Sequence, residues 1–309
     1  MPERPKLSIP QQIQHMENKG ITYNIYSKEQ AENFLGQSTY FFKIKAYVKN
    51  YPINPKTGKY KGVDFAYLME LSVLDMLLRR LILHASLDIE HYLKVRLMNR
   101  LNENSEDDGY RIVYKFFQKY PEIEASVYKK ANNSYCKDLV NKLQKDGFAL
   151  WNVIEVLTFG DFIRLYKLYD QENGSIDASL VRSLFPVRCL RNAAAHNNCL
   201  LNSLLRPYSL EIKPYRYLNS YIGKIPGVRP TSREKKLSNP VIHDFVALLY
   251  VYRQVVSSEK TVEHFSQELH GLFEDRMQKH AEYFTANESI VSSYVFVMKI
   301  INHLFPCEM

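Results

Sequence analysis

Arg191 and His196 stand five positions apart in the string Arg191-Asn192-Ala193-Ala194-Ala195-His196-Asn197. These two residue types suit one reaction well. RNA carries its own nucleophile, the 2′-OH, next to the scissile phosphate. A histidine side chain, titrating near neutrality, can take or give the proton in that attack. A guanidinium, permanently charged, can hold the phosphate and stabilise the charge that builds on its oxygens. One Arg and one His make half of a general acid/base pair, and a two-fold dimer that brings both copies together supplies the other half.

The spacing alone is weak evidence. With 16 Arg and 9 His in 309 residues, chance gives roughly half an occurrence of Arg-x4-His. A second occurrence, Arg79 to His84, lies in the apolar run LLRRLILH. Asp75 stands four residues before Arg79 as an ion-pair partner, so this pair reads as core. Arg191 and His196 lie instead among small and polar residues, flanked by asparagines.

Those side chains need an element to position them. The segment VRCLRNAAAHNNCLLNSLL reads as a helix that starts at Pro186 and ends before Pro207. On it, Val187, Leu190, Ala194, Leu201 and Leu204 make a buried stripe. At ~100° per residue, Arg191 falls about 100° to one side of Leu190 and His196 about 120° to the other. The face between them carries Arg188, Asn192, Ala195 and Cys199, and the small Ala195 leaves room for a close approach.

The rest of the chain reads as helices. Short ones are expected near Pro10 to Asn18 and from Ser27 to Leu35, stopping at Gly36, ahead of an aromatic segment and the turn-rich YPINPKTGKYKG. From Val63 to Leu101, apolar residues recur at spacings of three and four. Helices follow near Tyr110 to Lys119, Ile123 to Lys145 and Trp151 to Leu157, with Gly160 as the last one's stop and Asp161 as the next one's cap. Asp177 to Phe185 reads as a short helix that Pro186 interrupts. A basic stretch, about 207 to 240, reads as an exposed loop, either phosphate-contacting or plainly solvated. Helices near Val241 to Ser258, Thr261 to Phe284 and from Ser289 close the chain. No strand-period run is long enough to build a sheet. The expectation is one all-α domain over 1–309, with a lead-in (1–60), a core (61–206), the basic loop (207–240) and C-terminal helices (241–309).

The net charge of +8 favours a polyanionic partner. Tyr is abundant at 23 residues and Gly scarce at 11, which argues against tight-turn β architecture and against a Gly-rich phosphate loop. Arg188, Lys224, Arg229, Arg233, Lys235 and Lys236 are the candidate RNA-contacting cations. There is no HExxH, no Cys/His cluster and no run of paired carboxylates, so neither a metal nor a cofactor is expected. Cys136, Cys189, Cys199 and Cys307 form no CxxC pair and read as reduced thiols. The opening MPERPKLSIPQQIQ lacks the apolar core of a secretory leader. Ser289 to Phe305 is apolar but interrupted by Lys299, Asn302 and His303, so a cytoplasmic protein without a membrane span is expected.

Four stretches in order resemble a known family. IPQQIQHMENKGI with TYFFKIKAY, ELSVLDMLLRRLIL with DIEHYLKVRL, WNVIEVLTFGDFIRLYKLY, and LRNAAAHNNCLL are similar to segments of the abortive-infection (Abi) proteins of the AbiD/AbiF type, helical members of the HEPN superfamily. The resemblance implies a HEPN-type helical bundle with N-terminal and C-terminal helical elaborations. It also implies a toxin-like, phage-defence endoribonuclease whose Arg191 and His196 cut RNA across a homodimer interface. Asn192 would support them, and a small structured regulatory RNA would be a further partner. Glu90 either orients the motif from a neighbouring helix or pairs with Lys94. Asp75, Arg79, Trp151, Glu155 and Gly160 match positions that read as architectural. In HEPN toxins silenced by nucleotidyl transfer, a Tyr follows the His by two positions; here Asn198 occupies that place. Two other readings stay open: a non-catalytic module that holds a small RNA, and a helical sensor or scaffold for a phage protein.

Overall fold

The computed structural model describes residues 5–132, 135–174 and 178–306, so Asp177 and Cys307 lie outside the described residues. Within them the chain is all-α, and its only β-type pairings are two isolated bridges, Thr22 with Asp64 and Ile53 with Tyr60. No described helix is long and apolar enough to cross a membrane.

The lead-in comprises α1 (Ile9–Asn18), α2 (Lys28–Gln37) and α3 (Phe41–Ala46). Ser27 caps α2 through a reciprocal pairing with Gln30, as its sequence signature requires. The helix runs through Gly36 instead of stopping there, because nothing on that turn demands a left-handed residue. Asp64 then caps α4 (Phe65–Glu103), a single 39-residue helix about 58 Å long. Leu68, Leu71, Leu78, Ile82, Ile89, Leu93 and Leu97 give it an apolar seam along its full length, and all are buried.

Next come α5 (Arg111–Lys119), α6 (Pro121–Lys129), α7 (Lys137–Asp146), α8 (Leu150–Val156) and α9 (Phe159–Glu172). The single helix expected over Ile123 to Lys145 is therefore two, separated by a 3-10 turn at Lys130–Asn132. The cap of α9 is also one turn earlier than expected. Thr158 accepts the Asp161 amide, which places Gly160 inside the helix.

Helix α10 (Ala178–Ala195) is continuous through Pro186. The proline lacks an amide hydrogen for the Arg182 carbonyl, a loss the helix absorbs by burying Pro186, Val187 and Leu190. The chain continues through α11 (Arg216–Ile222), α12 (Pro230–Leu237), α13 (Pro240–Val255), α14 (Glu259–His270) and α15 (Glu288–Leu304). The stretch expected as an open basic loop thus contains two short helices. A π-helical turn at Gly271–Arg276 and a 3-10 turn at Ala281–Phe284 break the long helix expected after Thr261. Helices α4, α10 and α13 pack against one another as the central triplet, and α15 covers α13.

Candidate active site at the end of α10

Helix α10 ends at Ala195, well short of the end expected near Leu204. Two hydrogen bonds close it: Asn198 N–H to the Ala193 carbonyl at 2.9 Å and Asn197 N–H to the Ala194 carbonyl at 3.0 Å. That pairing is a Schellman cap, with His196 as the half-in capping residue and Asn197 in the left-handed position. Asn197 has φ of 56° and, among the described residues, is the non-glycine with positive φ. Asparagine is one of the few side chains that adopts this conformation at low cost.

His196 thus stands at the last turn of the helix, exposed and without a side-chain hydrogen bond among the described residues. Arg191, five residues earlier, is half-buried, and its guanidinium donates to the Asn192 side-chain oxygen at 3.1 Å. Asn192 therefore supports Arg191 directly. A solvent-accessible imidazole and a partly exposed guanidinium at one end of the helix can each meet a phosphodiester without opening the core.

Beyond the cap, buried side chains from distant segments pin the backbone. Asp75 Oδ1 accepts the amides of Leu200 and Leu201, both at 2.9 Å. Its other oxygen accepts the Tyr47 hydroxyl at 2.8 Å and pairs with Arg79, whose guanidinium also donates to the Asn198 carbonyl at 3.2 Å. Burial pushes the Asp75 carboxyl up from its ordinary value, while the Tyr47 hydroxyl, Arg79 and the two amides act in the opposite direction. Asn50 extends the arrangement, donating to the Leu201 carbonyl and accepting the Leu204 amide, each at 2.7 Å. An irregular buried segment would otherwise leave these backbone groups unsatisfied. Asp75 and Arg79 are architectural, as expected, and what they build is the seat of the His196 turn.

Lys43 is a neighbour that sequence reasoning missed. Its Nζ donates to the Asn197 carbonyl at 3.2 Å, adding a cation directly behind the His196 turn. Burial and the nearby Arg79 lower its pKa from the ordinary lysine value. The only sequence hint was its place within TYFFKIKAY.

Other expected site residues separate. Glu90 pairs with Lys94 at 3.5 Å. It lies fifteen residues beyond Asp75 on α4, about 22 Å along the axis from the carboxylate that seats the His196 turn. Arg188 lies one turn before Arg191, its guanidinium 5.0 Å from the Phe185 ring centroid. A β-carbon on Gly160 would come within 3.2 Å of the Arg188 Cδ, so this glycine is what lets α9 approach that side chain. Lys224, Arg229 and Lys235 are exposed. Arg233 is half-buried, and its Nε donates to the Asn219 side chain at 2.6 Å.

Lys236 is a correction. It is buried against α15, where its Nζ donates to the Ser292 and Ser293 hydroxyls at 2.7 and 2.8 Å. Burial lowers its pKa to about 8, and it is not available to a phosphate. Among the described residues, no group of three or more His, Cys, Asp or Glu converges as a cation site.

No curated protein and no solved structure is detectably similar to this chain. The family model described as Abi-like protein matches residues 33–202. That segment contains Lys43, Tyr47, Asp75, Arg79 and the whole capped turn from Arg191 to Leu201. With more than half of its residues matched, the chain belongs to the Abi-like protein family, which is associated with abortive infection and phage defence.

Proposed function

We propose that the protein is a metal-independent endoribonuclease of phage defence, of HEPN type, cutting RNA by attack of the 2′-OH on the adjacent phosphate. The observation that carries this reading is the placement of His196 and Arg191. Arg191 lies near the end of α10 and His196 five residues on at its cap, the imidazole exposed, on a backbone fixed from behind by Asp75, Arg79 and Lys43. A backbone held in this way limits where the imidazole can go, which reduces the reorganisation needed at the moment of reaction.

In this reading Arg191 holds a non-bridging phosphate oxygen and Asn192 fixes its rotamer. His196 takes the 2′-OH proton. The partner protomer's copy of the motif protonates the departing 5′-oxygen, and the products are a 2′,3′-cyclic phosphate and a 5′-hydroxyl. The homodimer, the cytoplasmic location and any small structured RNA that restrains the enzyme belong to the same proposal.

The test is cleavage of labelled single-stranded RNA in EDTA by wild type, His196→Ala and Arg191→Ala. Each substitution is expected to lower the rate by at least about a hundredfold while leaving RNA affinity within a few-fold. Equal cleavage by all three proteins, or cleavage that EDTA abolishes, would refute this reading. RNA binding by all three with no cleavage, after co-purifying RNA is stripped, would favour a non-catalytic RNA-binding module.

A further inference from the structure

A groove of about 1220 Å³ runs between α9, the first turns of α10 and the segment 213–217 ahead of and entering α11. Six cations line it: Arg164, Lys167, Arg182, Arg188, Lys213 and Arg216. Its one carboxylate, Asp170, is buried and already paired with Arg100 at 2.9 Å. Lys167, Arg182, Lys213 and Arg216 are exposed and make no ion pair among the described residues. This much unneutralised positive charge in a concavity needs a polyanion.

Aromatic rings stand among the cations. Phe185 is 52% exposed on the groove, its ring centroid 5.0 Å from the Arg188 guanidinium, so it presents an open aromatic surface beside a cation. Tyr215 and Tyr217, half-buried, line the opposite wall. Cations alternating with exposed rings suit a strand whose phosphates are neutralised while its bases stack. A duplex offers phosphates but no free base face for Phe185, and an acidic peptide offers no ring. A membrane-binding surface would be convex and more broadly apolar.

The groove also has a direction. Along α10, Val181, Phe185 and Asn192 lie within about 60° of Arg188, and Arg191 lies about 60° to the other side and about 4.5 Å further along the axis. The lining face of the groove thus continues into the turn that carries His196. The wall at 213–217 lies beyond the family-matched segment, so this chain supplies it from its own C-terminal half.

We infer that this groove binds single-stranded RNA, stacking a base on Phe185 and leading the strand along α10 onto Arg191 and His196. The choice of RNA over other single strands rests on the proposed nuclease reading; the groove itself rests on its charge and rings. Of the groove residues, the sequence singled out Arg188 by name and the 213–217 segment only as part of the basic stretch; the α9 residues and Phe185 join them only through the fold.

The experiment measures affinity for a short, labelled, single-stranded 2′-O-methyl RNA, which lacks the nucleophile and stays intact, across a salt series. Phe185→Ala is expected to weaken binding about tenfold, with Phe185→Tyr restoring it. Lys213→Ala/Arg216→Ala is expected to weaken binding and to reduce the slope of log affinity against log salt by about 1.4. Lys56→Ala/Lys59→Ala, on the exposed N-terminal turn, should leave both unchanged. All of the groove side chains altered are at the surface, and thermal melts of each variant confirm the fold.

Groove variants that bind like wild type with the same salt slope, or a matched duplex that competes as well as the single strand, would overturn the inference. Cleavage of unmodified RNA by the same proteins separates the two proposals. A wild type that binds through the groove but never cuts defeats the nuclease and leaves the groove standing. Cutting that depends on His196 while groove variants bind normally does the reverse.

Discussion

Asp75 Oδ1 accepts the Leu201 amide at 2.9 Å across 126 residues of chain. With the same oxygen on Leu200 and the other on Tyr47 and Arg79, one buried carboxylate ties α4, the segment after α3 and the turn beyond His196 into a single unit.

Removing Asp75 leaves the Arg79 charge buried without its partner. Asp75→Ala is expected to cost about 3 kcal/mol or more, a fall in melting temperature of roughly 5 °C or more for a chain of this size. Asp75→Leu/Arg79→Met should be milder than Asp75→Ala, since no charge is then stranded. Differential scanning calorimetry on the three proteins checks this. If Asp75→Ala melts with wild type, the clasp holds nothing.

Asn197 needs a left-handed backbone at φ 56°. Asn197→Gly should keep both stability and cleavage, because glycine adopts that region freely. Asn197→Val is expected to lose about 1–2 kcal/mol and to lower cleavage by more than its stability loss explains, since the His196 cap is displaced. Equal behaviour of the two variants would mean that the cap does not set the imidazole.

Gly160 sits inside α9 opposite Arg188. Gly160→Ala gains helix propensity of up to about 1 kcal/mol, while its methyl group crowds the Arg188 Cδ. The expected result is an almost unchanged melting temperature with RNA affinity several-fold weaker. Unchanged affinity would show that the position of Arg188 is immaterial to binding.

Lys236 supplies a pH signature. Its folded-state pKa is lowered to about 8 from 10.5, so between these values the unfolded chain binds the proton that the folded chain has released. Stability therefore rises with pH through this window on account of this group. Wild type should gain melting temperature relative to Lys236→Met between about pH 8 and pH 10. A difference that stays flat, or that narrows in the other sense, would place the ammonium in solvent.

The long helix α4 was legible because its apolar seam repeats at helical spacing for ten turns and needs no distant partner to explain it. The end of α10 was not. AAAHNNCLLNSLL has the composition of a continuing helix, and the decision to stop is made by Asn197 together with Asp75, a residue more than a hundred positions away. Lys236 was misread for a related reason. Within SREKK it has the look of a solvated lysine, and only the packing of α12 on α15 brings Ser292 and Ser293 around its Nζ. Arg191 and His196 stand out in the sequence by spacing and setting, and Asn192 only through the family resemblance. Lys43 and the groove as a unit do not, because Lys43 meets the turn only through the fold and the groove's cations come from α9, α10 and the segment 213–217.

The His196 turn is seated on Tyr47, Asp75 and Arg79, its helix α10 leans on α13, and one wall of the groove is made by residues 213–217. All of these must leave the ribosome before the imidazole has a fixed place. At about 5–20 residues per second, synthesis runs for many seconds with most of the chain made and no site formed. The turn that carries His196 is thus set by segments far along the chain and not by its own local sequence.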